Sequence, residues 1–482
     1  MTSRIKVKTE TGQFKTLGQG EVFFQKLKDG APVVCLGLGP NVQWLKRFQQ
    51  EVFLIEVPVI LRAIRFAPED LLKVKLITFA ELDRDLLAKA EIWVYRPSIH
   101  YFPSFWQPVW AKIYAPLPSL NTGQIWILAQ KNNLLVQELE RAVTSLGFCP
   151  KLKLFADPEL LRQELSKTRP QLVLSLNAHG LDEYGVLASI LIYNKIPLAL
   201  WLVDNPWHVL SKFKGKFFTK FAFFVTDNFF IPHLRRLGID RVFYLPLAGE
   251  SFFFQNPQPI DLKDRLCFVG RSSFPNRQKY FAGQNLDARI VGAGQRRIKS
   301  GQRADYSWFI EQFGHNAPDP RFVGAHLEKL NLEYRLIIFN HLRKKYNLTL
   351  VGDSYWQKLG FETLPPVDYY TGLKNIYFSA KYVLNLTSFH LPWSLNQRHF
   401  DVWLSKGFLL TDYTPGLDLF DKEAVELISF KSWTELEDLI ERLERDPSLR
   451  CDLQTYFSQE ICSHHTYKHR LEFIFEALQI KF

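Results

Sequence analysis

The sequence predicts an α/β protein made of parallel sheets with crossover helices. Short apolar runs, each of strand length, alternate with longer helix-like segments along the chain, and this alternation is typical of parallel sheets. Many of the runs end in glycine or a polar residue, as strands do at the ligand-binding edge of such sheets. The length of 482 residues corresponds to about three domains of roughly 150 residues each. We therefore expect three Rossmann-like blocks, at residues 1–119, 120–256 and 257–482.

The composition is that of a water-soluble globular chain, with 47% hydrophobic and 23% charged residues. No stretch reaches the ~20 consecutive apolar residues that a membrane span needs. Residues 1–15 lack the apolar centre of a signal peptide. We therefore expect a cytoplasmic protein without an integral membrane span, and peripheral membrane contact stays open.

The charge and the cysteine content indicate which classes of partner, metal site and disulfide the sequence favours. The chain has 60 Lys and Arg against 49 Asp and Glu, a net charge of +11, which favours anionic partners and equally serves solubility. The basic residues are dispersed except for a cluster at residues 296–303, so the pattern argues against nucleic acid. Five scattered cysteines without CxxC spacing indicate neither a zinc site nor a disulfide framework.

The first block contains a glycine turn after its strand at 33–36. Gly37 and Gly39 in this turn, with Glu56 at the end of the next strand, resemble the nucleotide-binding turn of S-adenosylmethionine methyltransferases, in which the acid would hold a ribose. The third glycine of a dinucleotide fingerprint is missing. One alternative is therefore a methyltransferase or a bifunctional enzyme, if the turn leaves a free pocket. A degenerate accessory domain, used for acceptor recognition or dimerisation, is the other interpretation of this block.

The second block places chemically active side chains at the ends of its strands. His179 follows the strand at 172–176, and Asp204 follows the strand at 198–203. Because the carboxyl ends of parallel strands meet at one edge of a sheet, both should border one cleft. Either side chain can act as a general base for an acceptor hydroxyl, and His208 on the following turn is a further candidate. If a sugar is transferred with retention of configuration, no protein base is needed.

The third block predicts a phosphate site. Gly270 and Arg271 directly follow the strand at 266–269, where glycine allows close backbone approach and arginine pairs bidentately with phosphate. Asn396 and Arg398 begin a predicted helix whose free N–H groups suit a phosphate. A polar segment at 287–320 predicts an insertion or a mobile lid. The candidate donor-binding residues are Gly270, Arg271, Arg277, Gly352, Asp353, Asn396, Arg398 and Asp401.

These residue types together suit the transfer of a sugar from a nucleotide-diphospho sugar. The leaving diphosphate needs positive charge, the donor ribose needs an acidic hydrogen-bond acceptor, and the acceptor hydroxyl needs a base. The arginines supply the first of these without a catalytic metal, so we expect no metal site and no cofactor besides the donor. Nucleotide sugar and a protein or glycan acceptor are the expected partners.

Several segments in order resemble the CgeB-like glycosyltransferases, the family of spore maturation protein CgeB. They are WLVDNP from Trp201, LCFVGRSSFPNR from Leu266, NQRHFDVWLSKGFLL from Asn396 and the closing YKHRLEFIF from Tyr467. The similarity extends over residues 121–482 and leaves the first block outside it. The resemblance implies a GT-B fold, with two facing Rossmann-like domains and the first block as an N-terminal accessory domain. It also implies metal-independent transfer from a nucleotide-diphospho sugar, with a terminal helix that crosses back.

The resemblance also assigns roles to single residues. Arg398 matches the family arginine, and Asp401 stands where relatives carry a glutamate that binds the donor ribose or sugar. Asp353 matches a turn that borders the base pocket, where Tyr355 and Trp356 would stack on the base. We expect replacement of Arg398 to abolish transfer and leave the fold intact. A non-catalytic binding protein with a retained GT-B shell remains a further alternative.

Overall fold

A computed structural model describes residues 4–67, 69, 72–117, 119–274, 276–314 and 319–480. Three sheets and one small hairpin make up its strands, and nearly all strand pairs in the three sheets are parallel. The expected α/β class, with three Rossmann-like sheets, is therefore confirmed. Among the described helices, none combines the length and the apolar character of a bilayer-spanning segment.

The first sheet is five-stranded, in the order β3-β7-β4-β5-β6. Only the edge strand β3 is antiparallel to its neighbour. The hairpin and the sheet comprise β1 (Lys6–Lys8), β2 (Phe14–Thr16), β3 (Phe24–Lys28), β4 (Val33–Leu36), β5 (Val52–Ile55), β6 (Val74–Leu76) and β7 (Glu91–Tyr95). The helical segments are Glu21–Phe23, Val42–Arg47, Pro58–Leu61, Arg84–Lys89, Arg96–Tyr101 and Pro103–Ile113.

The glycine turn after β4 is filled by the protein itself. The Glu56 carboxylate accepts hydrogen bonds from the backbone N–H groups of Leu38 at 2.7 Å and Gly39 at 2.9 Å, and from the Ser98 hydroxyl at 2.8 Å. A Cβ on Gly39 would lie 2.5 Å from the ring of Tyr95. The Glu56 carboxylate thus satisfies its own turn, which favours the accessory-domain interpretation over ribose binding. The methyltransferase alternative needs a free pocket at this turn, and the Tyr95 ring packs against Gly39 there.

The second sheet has six parallel strands in the order β13-β12-β11-β10-β8-β9. Its runs of Leu, Ile, Val and Phe are buried, as expected for a sheet covered on both faces. The strand order reverses between β8 and β10, which is the position where such sheets bind ligands. The strands are β8 (Gln124–Leu128), β9 (Cys149–Lys153), β10 (Leu172–Leu176), β11 (Leu198–Leu202), β12 (Ala222–Val225) and β13 (Val242–Tyr244). The helices are Val136–Ser145, Pro158–Lys167, Val186–Tyr193, Pro206–Leu210, Phe217–Lys220, Asn228–Phe230, Ile231–Arg236 and Ser251–Phe254.

The third sheet also has six parallel strands, in the order β16-β15-β14-β17-β18-β19, and it reverses between β14 and β17. Its strands are β14 (Arg265–Val269), β15 (Asn347–Val351), β16 (Thr363–Leu364), β17 (Tyr382–Asn385), β18 (Leu409–Asp412) and β19 (Ser429–Phe430). The helices that follow β15 are Tyr355–Lys358, Leu373–Ser379, Arg398–Leu404, Pro415–Leu419, Lys422–Glu426, Trp433–Arg445, Pro447–His464 and Tyr467–Ala477.

The predicted insertion between β14 and β15 is helical. Arg303 in this insertion is partly buried, with 14% of its side chain exposed, and forms ion pairs with Asp412 and, at 3.2 Å, with Asp305. This member of the basic cluster at residues 296–303 therefore points into the protein. Residues 315–318 of the predicted lid lie outside the described residues. The insertion helices are Arg277–Tyr280, Ala288–Lys299, Tyr306–Phe313 and Pro320–Leu342.

The first domain packs on the outside of the second. The helix Pro103–Ile113 lies against the helix Val186–Tyr193. Glu10 links the two domains, because its carboxylate accepts hydrogen bonds from the backbone N–H groups of Ser104 at 2.6 Å and Lys216 at 3.0 Å. This contact surface leaves the strand-end edge of the second sheet facing the third domain.

The terminal helix Tyr467–Ala477 packs against the helix Val136–Ser145 of the second domain. Phe475 stacks on Phe148 with ring centroids 5.1 Å apart. Arg470 donates from Nε to the carbonyl oxygen of Pro246 at 2.9 Å. Two Rossmann-like sheets that face each other, with the last helix returning to the first of the two, form the GT-B arrangement that the resemblance implied.

Candidate active site

A cleft of about 440 Å³ lies between the second and third domains. The second domain lines it with the ends of its central strands, at the position where its strand order reverses. The third domain lines it with the loop that follows β17. The polar lining residues are Asn133, Asn177, His179, Asp204, Lys212, Asn396 and Gln397. The structure thus brings two of the three predicted base candidates, His179 and Asp204, and one predicted donor residue, Asn396, into a single cleft.

Asn177 fixes Asp204 in the cleft. With a φ of 49°, Asn177 turns its side chain towards the end of β11. Its Oδ1 accepts from the backbone N–H of Val203 at 2.9 Å, and its Nδ2 donates to Oδ2 of Asp204 at 2.8 Å. Enclosure by the cleft walls raises the pKa of Asp204, although Lys212 and the hydrogen bond from Asn177 oppose this rise. The carboxyl still has access to solvent, so it is a fixed acid–base group that an acceptor can reach.

The two histidine candidates differ in their surroundings. His179 is exposed at the rim of the same cleft. His208 packs against the insertion, where a Cβ on Gly324 would lie 2.9 Å from its Cε1. Burial lowers the pKa of His208 to about 3, which makes it a poor base near neutral pH. We therefore keep His179 and Asp204 as candidates and set His208 aside.

Arg398 forms hydrogen bonds to the ends of β14 and β17, the two central strands of the third sheet. Its Nη1 donates to the carbonyl oxygen of Val269 at the end of β14, and its Nε donates to Oδ1 of Asn385 at 2.7 Å. Asn396 donates to the same oxygen of Asn385 at 2.8 Å. Removal of the guanidinium would take one donor from the carbonyl oxygen of Val269 and one from Oδ1 of Asn385, which keeps its bond from Asn396. We therefore expect a substitution of Arg398 to lower stability as well as transfer, and that the fold stays intact remains a prediction.

A second buried arginine, Arg335, lies beside Arg398. It comes from the middle of the helix Pro320–Leu342 and donates from Nη1 to the carbonyl oxygen of Arg271 at 2.9 Å. Arg335 and Arg398 lie 5.4 Å and 5.6 Å from the ring centroid of Phe268. Burial, followed by the charge of Arg398, lowers the pKa of Arg335 to about 10. Because the two cations disfavour each other, a bound anion at this edge would stabilise both.

Gly270, Gly352 and Asp353 hold the ends of β14 and β15 together. The carboxylate of Asp353 accepts from the backbone N–H of Ser272 at 2.6 Å and from its hydroxyl at 2.9 Å. A Cβ on Gly352 would lie 2.3 Å from the carbonyl oxygen of Gly270, so only glycine fits there. These residues shape the predicted phosphate turn; a direct contact of Asp353 with a donor stays a prediction.

The other residues that were predicted to contact the donor differ in their exposure to solvent. Arg271 and Arg277 are exposed beside this turn. Trp356 is fully buried and donates from Nε1 to the carbonyl oxygen of Gly270 at 2.9 Å, which is a packing role and contradicts stacking on a base. Tyr355 is 45% exposed and remains able to stack.

Asp401 is buried below the surface of the third domain. Its Oδ2 accepts a hydrogen bond from the Tyr369 hydroxyl at 2.7 Å, and only 1% of the residue is exposed. Burial raises the pKa of Asp401 well above its ordinary value. A contact of this side chain with a donor ribose stays a prediction, and it would require Tyr369 to move.

Glu138 connects the second domain to the third next to Asp401. Its Oε2 accepts from the Tyr370 hydroxyl at 2.9 Å, and the residue is 1% exposed. Burial raises the pKa of Glu138 from 4.5 to about 7. Because the pKa of Glu138 is higher in the folded than in the unfolded protein, the protonated carboxyl favours folding. This contribution to the unfolding free energy is complete at low pH and is lost as the pH rises from 4.5 through 7.

Replacing Glu138 with glutamine should therefore flatten the pH dependence of stability. We expect the variant to exceed the unmodified protein in unfolding free energy by up to about 3 kcal/mol at pH 8, and by little at pH 4. Urea unfolding at a series of pH values measures this difference. Glu140→Gln on the same helix is the control. If the unfolding free energies of Glu138→Gln and the unmodified protein changed equally with pH between 4.5 and 7, the raised pKa of Glu138 would be contradicted.

Within the described residues, no group of three or more His, Cys, Asp or Glu side chains is arranged to hold a metal ion. Residues 335–476 match the model of a protein family described as "Glycosyl transferase-like". This segment contains Arg335, Arg398 and β15 to β19. The chain therefore carries a glycosyltransferase domain. Among curated proteins, none matches the chain.

Several solved structures are similar to this chain in overall shape. T4 phage BGT in complex with UDP and Mn²⁺ has a TM-score of 0.40 at 10% identity, covering 74% of this chain and 99% of its own. Anabaena HepE in complex with UDP-glucose has a TM-score of 0.42 at 10% identity, covering 74% and 99%. Sucrose-phosphate synthase from Thermosynechococcus elongatus has a TM-score of 0.44 at 11% identity, covering 74% and 98%.

Proposed function

We propose that this glycosyltransferase moves a sugar from a nucleotide-diphospho sugar to a hydroxyl of a protein or glycan acceptor, without a catalytic metal. The observation that carries the proposal is the cleft, where Asp204 of the second domain faces Asn396 and Gln397 of the third. The acceptor binds to the second domain and the donor to the third. The first domain, 1–119, is an accessory domain that recognises the acceptor or mediates dimerisation.

Positive charge at the edge of the third sheet supports the donor half of this proposal. Arg335 and Arg398 flank Phe268, and the exposed Arg271 follows on the adjacent turn. Guanidinium groups in a partly dry site stabilise the charge that develops on a leaving diphosphate. Three arginines at this edge would supply the role that a divalent cation fills in metal-dependent transfer.

Asp204 supports the part of the proposal that places the acceptor on the second domain. Its carboxyl is fixed by Asn177 at 2.8 Å and is accessible in the cleft. The enclosure that raises its pKa moves the group towards the range in which a carboxylate is an effective base near neutral pH. We further propose that the protein groups with the CgeB-like glycosyltransferases, on the segments around Trp201, Leu266 and Asn396, and that it acts in the cytoplasm.

Thermal shifts with UDP-, GDP-, ADP- and CMP-sugars and with S-adenosylmethionine, each with and without EDTA, test the donor assignment. A ligand at a hundred times its dissociation constant adds about 2.7 kcal/mol to the unfolding free energy. We expect one nucleotide-diphospho sugar to give such a shift, with no effect of EDTA. The CMP-sugar, which has one phosphate, serves as the control for diphosphate recognition.

Each other outcome of this panel has a definite meaning. A shift that EDTA removes would overturn metal independence and keep the donor class. A shift with S-adenosylmethionine alone would move the active site to the first domain. Donor binding with neither transfer to an acceptor nor release of free nucleotide would favour the non-catalytic binding protein.

A further inference from the structure

The hairpin of the first domain presents lysines and an aromatic ring to solvent. Lys8 of β1 pairs with Phe14 of β2, and residues that pair across an antiparallel ladder point to the same face. The next pair on that face is Lys6 with Thr16. Val7 points to the opposite face and is only 3% exposed. Phe14 is 74% exposed, more than any other aromatic residue in the described part of the chain.

A loop of the second domain adds three lysines next to this hairpin. Its residues alternate between buried Phe213, Gly215 and Phe217 and exposed Lys212, Lys214 and Lys216. Glu10, in the turn of the hairpin, holds the loop in place, because its Oε2 accepts from the backbone N–H of Lys216 at 3.0 Å. The hairpin and the loop are therefore in direct contact. We call the outward side of the hairpin, together with the three exposed lysines of the loop, the basic face.

Few carboxylates offset the charge of the basic face. Residues 205–226 contain no acid, and the only acid of the hairpin is Glu10. Its carboxylate is turned inward, where it accepts from the backbone N–H and the hydroxyl of Ser104, each at 2.6 Å. Nζ of Lys214 lies 3.6 Å from Oε2 of Glu183, whereas the other four lysines of the face form no ion pair with a described residue. An anionic partner would therefore be attracted to this face.

The exposed ring decides which anionic partner fits. A soluble polyanion would neutralise the lysines and leave Phe14 in water. An anionic bilayer satisfies both features, because its headgroups attract lysines and the boundary between headgroups and acyl chains accepts an aromatic ring. We propose that the basic face binds the surface of an anionic membrane, with the ring of Phe14 inserted at that boundary. This inference does not depend on sugar transfer.

Docking of the basic face would hold the cleft close to the lipid headgroups. Lys212 lines the cleft, and Lys216 contacts the turn of the hairpin through Glu10. Four residues of chain span at most about 14 Å. The cleft between the second and third domains therefore opens beside the docked surface, within reach of a hydroxyl carried by the membrane.

Sedimentation with vesicles measures this binding. One preparation contains phosphatidylcholine alone, and the other contains equimolar phosphatidylcholine and phosphatidylglycerol. In about 0.1 M NaCl we expect the protein to sediment with the anionic vesicles and not with the neutral ones. In about 1 M NaCl, where the Debye length falls from about 10 Å to about 3 Å, the affinity for the anionic vesicles should fall. Equal binding to both preparations would overturn the proposal.

Two variants separate the contribution of charge from that of insertion. Lys6→Gln/Lys8→Gln should lower the affinity for anionic vesicles by roughly 25-fold, since each lysine near an anionic surface contributes about fivefold. Phe14→Ser should lower it by about tenfold, because an apolar ring no longer leaves water. Lys263→Gln/Lys344→Gln is the matched control. Both of these exposed lysines shortly precede strands of the third sheet, β14 and β15, and so lie at the edge opposite the cleft.

The remaining outcomes test the same surface from other sides. An equal loss in the control would overturn the assignment to the basic face, and an unchanged affinity in Phe14→Ser would overturn insertion. Lys216→Gln, outside the hairpin, should cost about fivefold, and no loss there would exclude the loop. Polyphosphate is the soluble probe: if the protein binds it through Lys6 and Lys8 but sediments with neither preparation of vesicles, the partner is a soluble polyanion and the membrane proposal fails.

Discussion

Replacing Arg398 with methionine should reduce kcat/KM for sugar transfer by about 10²–10³-fold, because a donor to the leaving group is lost from a preorganised site. The same change removes a hydrogen bond to the carbonyl oxygen of Val269 and one to Oδ1 of Asn385, and the second acceptor keeps its bond from Asn396. Each unsatisfied buried acceptor costs roughly 1–3 kcal/mol. We therefore expect a folded but less stable variant, in which catalysis falls more than stability explains. Methionine is preferred to alanine because it fills most of the space.

Arg450→Met is the control for this experiment. Arg450 also donates to a backbone carbonyl, that of Lys381 at 3.1 Å, and also lies over an aromatic ring, that of Tyr382, with its Cζ 4.9 Å from the ring centroid. Its distance from the cleft predicts a stability loss without a catalytic loss. Kinetics at a temperature well below both unfolding midpoints separate the two effects. Transfer by folded Arg398→Met at the original rate would exclude Arg398 from the donor site.

Replacing Asp204 with asparagine should lower kcat/KM by about 10²–10⁴-fold if Asp204 is the general base. The amide retains an oxygen that accepts the hydrogen bond from Asn177, so the local geometry is kept and the charge is removed. Donor binding should be unchanged, since the arginines that flank Phe268 belong to the other domain. Steady-state kinetics, together with the donor-induced thermal shift of the variant, measure both quantities.

His179→Gln provides the comparison, because His179 lines the same cleft from its exposed rim. We expect a change of less than about tenfold, since an effective base must be fixed within hydrogen-bond reach of its proton. A larger loss in His179→Gln than in Asp204→Asn would transfer the base role to the histidine. Small losses in both variants would indicate transfer with retention of configuration, in which no protein base is required.

The sequence was sufficient to predict the sheets and the edges that carry ligands. Buried strands such as Val33–Leu36 and Leu172–Leu176 are continuous apolar runs, and parallel topology then fixes which ends face the cleft. This is why Asp204 and His179 could be placed together before the structure was known. The role of Glu56 could not be predicted in this way, because an acid at a strand end has the same sequence pattern whether it binds a ligand or its own turn.

The parts of the site that sequence reasoning missed depend on long-range contacts. Arg335 lies in the middle of a helix, where an arginine ordinarily faces solvent, and only the packing against Phe268 makes it a buried cation. Glu138 and Tyr370 are 232 residues apart and belong to no local motif. The only signal in the sequence was the run of apolar residues around Arg335 on the helix Pro320–Leu342, which is typical of a buried helix face.

The return of the last helix to the second domain has a consequence for the order of events during protein synthesis. Phe148 emerges from the ribosome early, and Phe475, which covers it at 5.1 Å, emerges after the whole third domain. Domains usually fold as units, starting from the N-terminal one. Here the second domain completes its packing only when translation reaches the terminal helix. Until then the nascent chain carries an uncovered aromatic surface, so the second and third domains mature together.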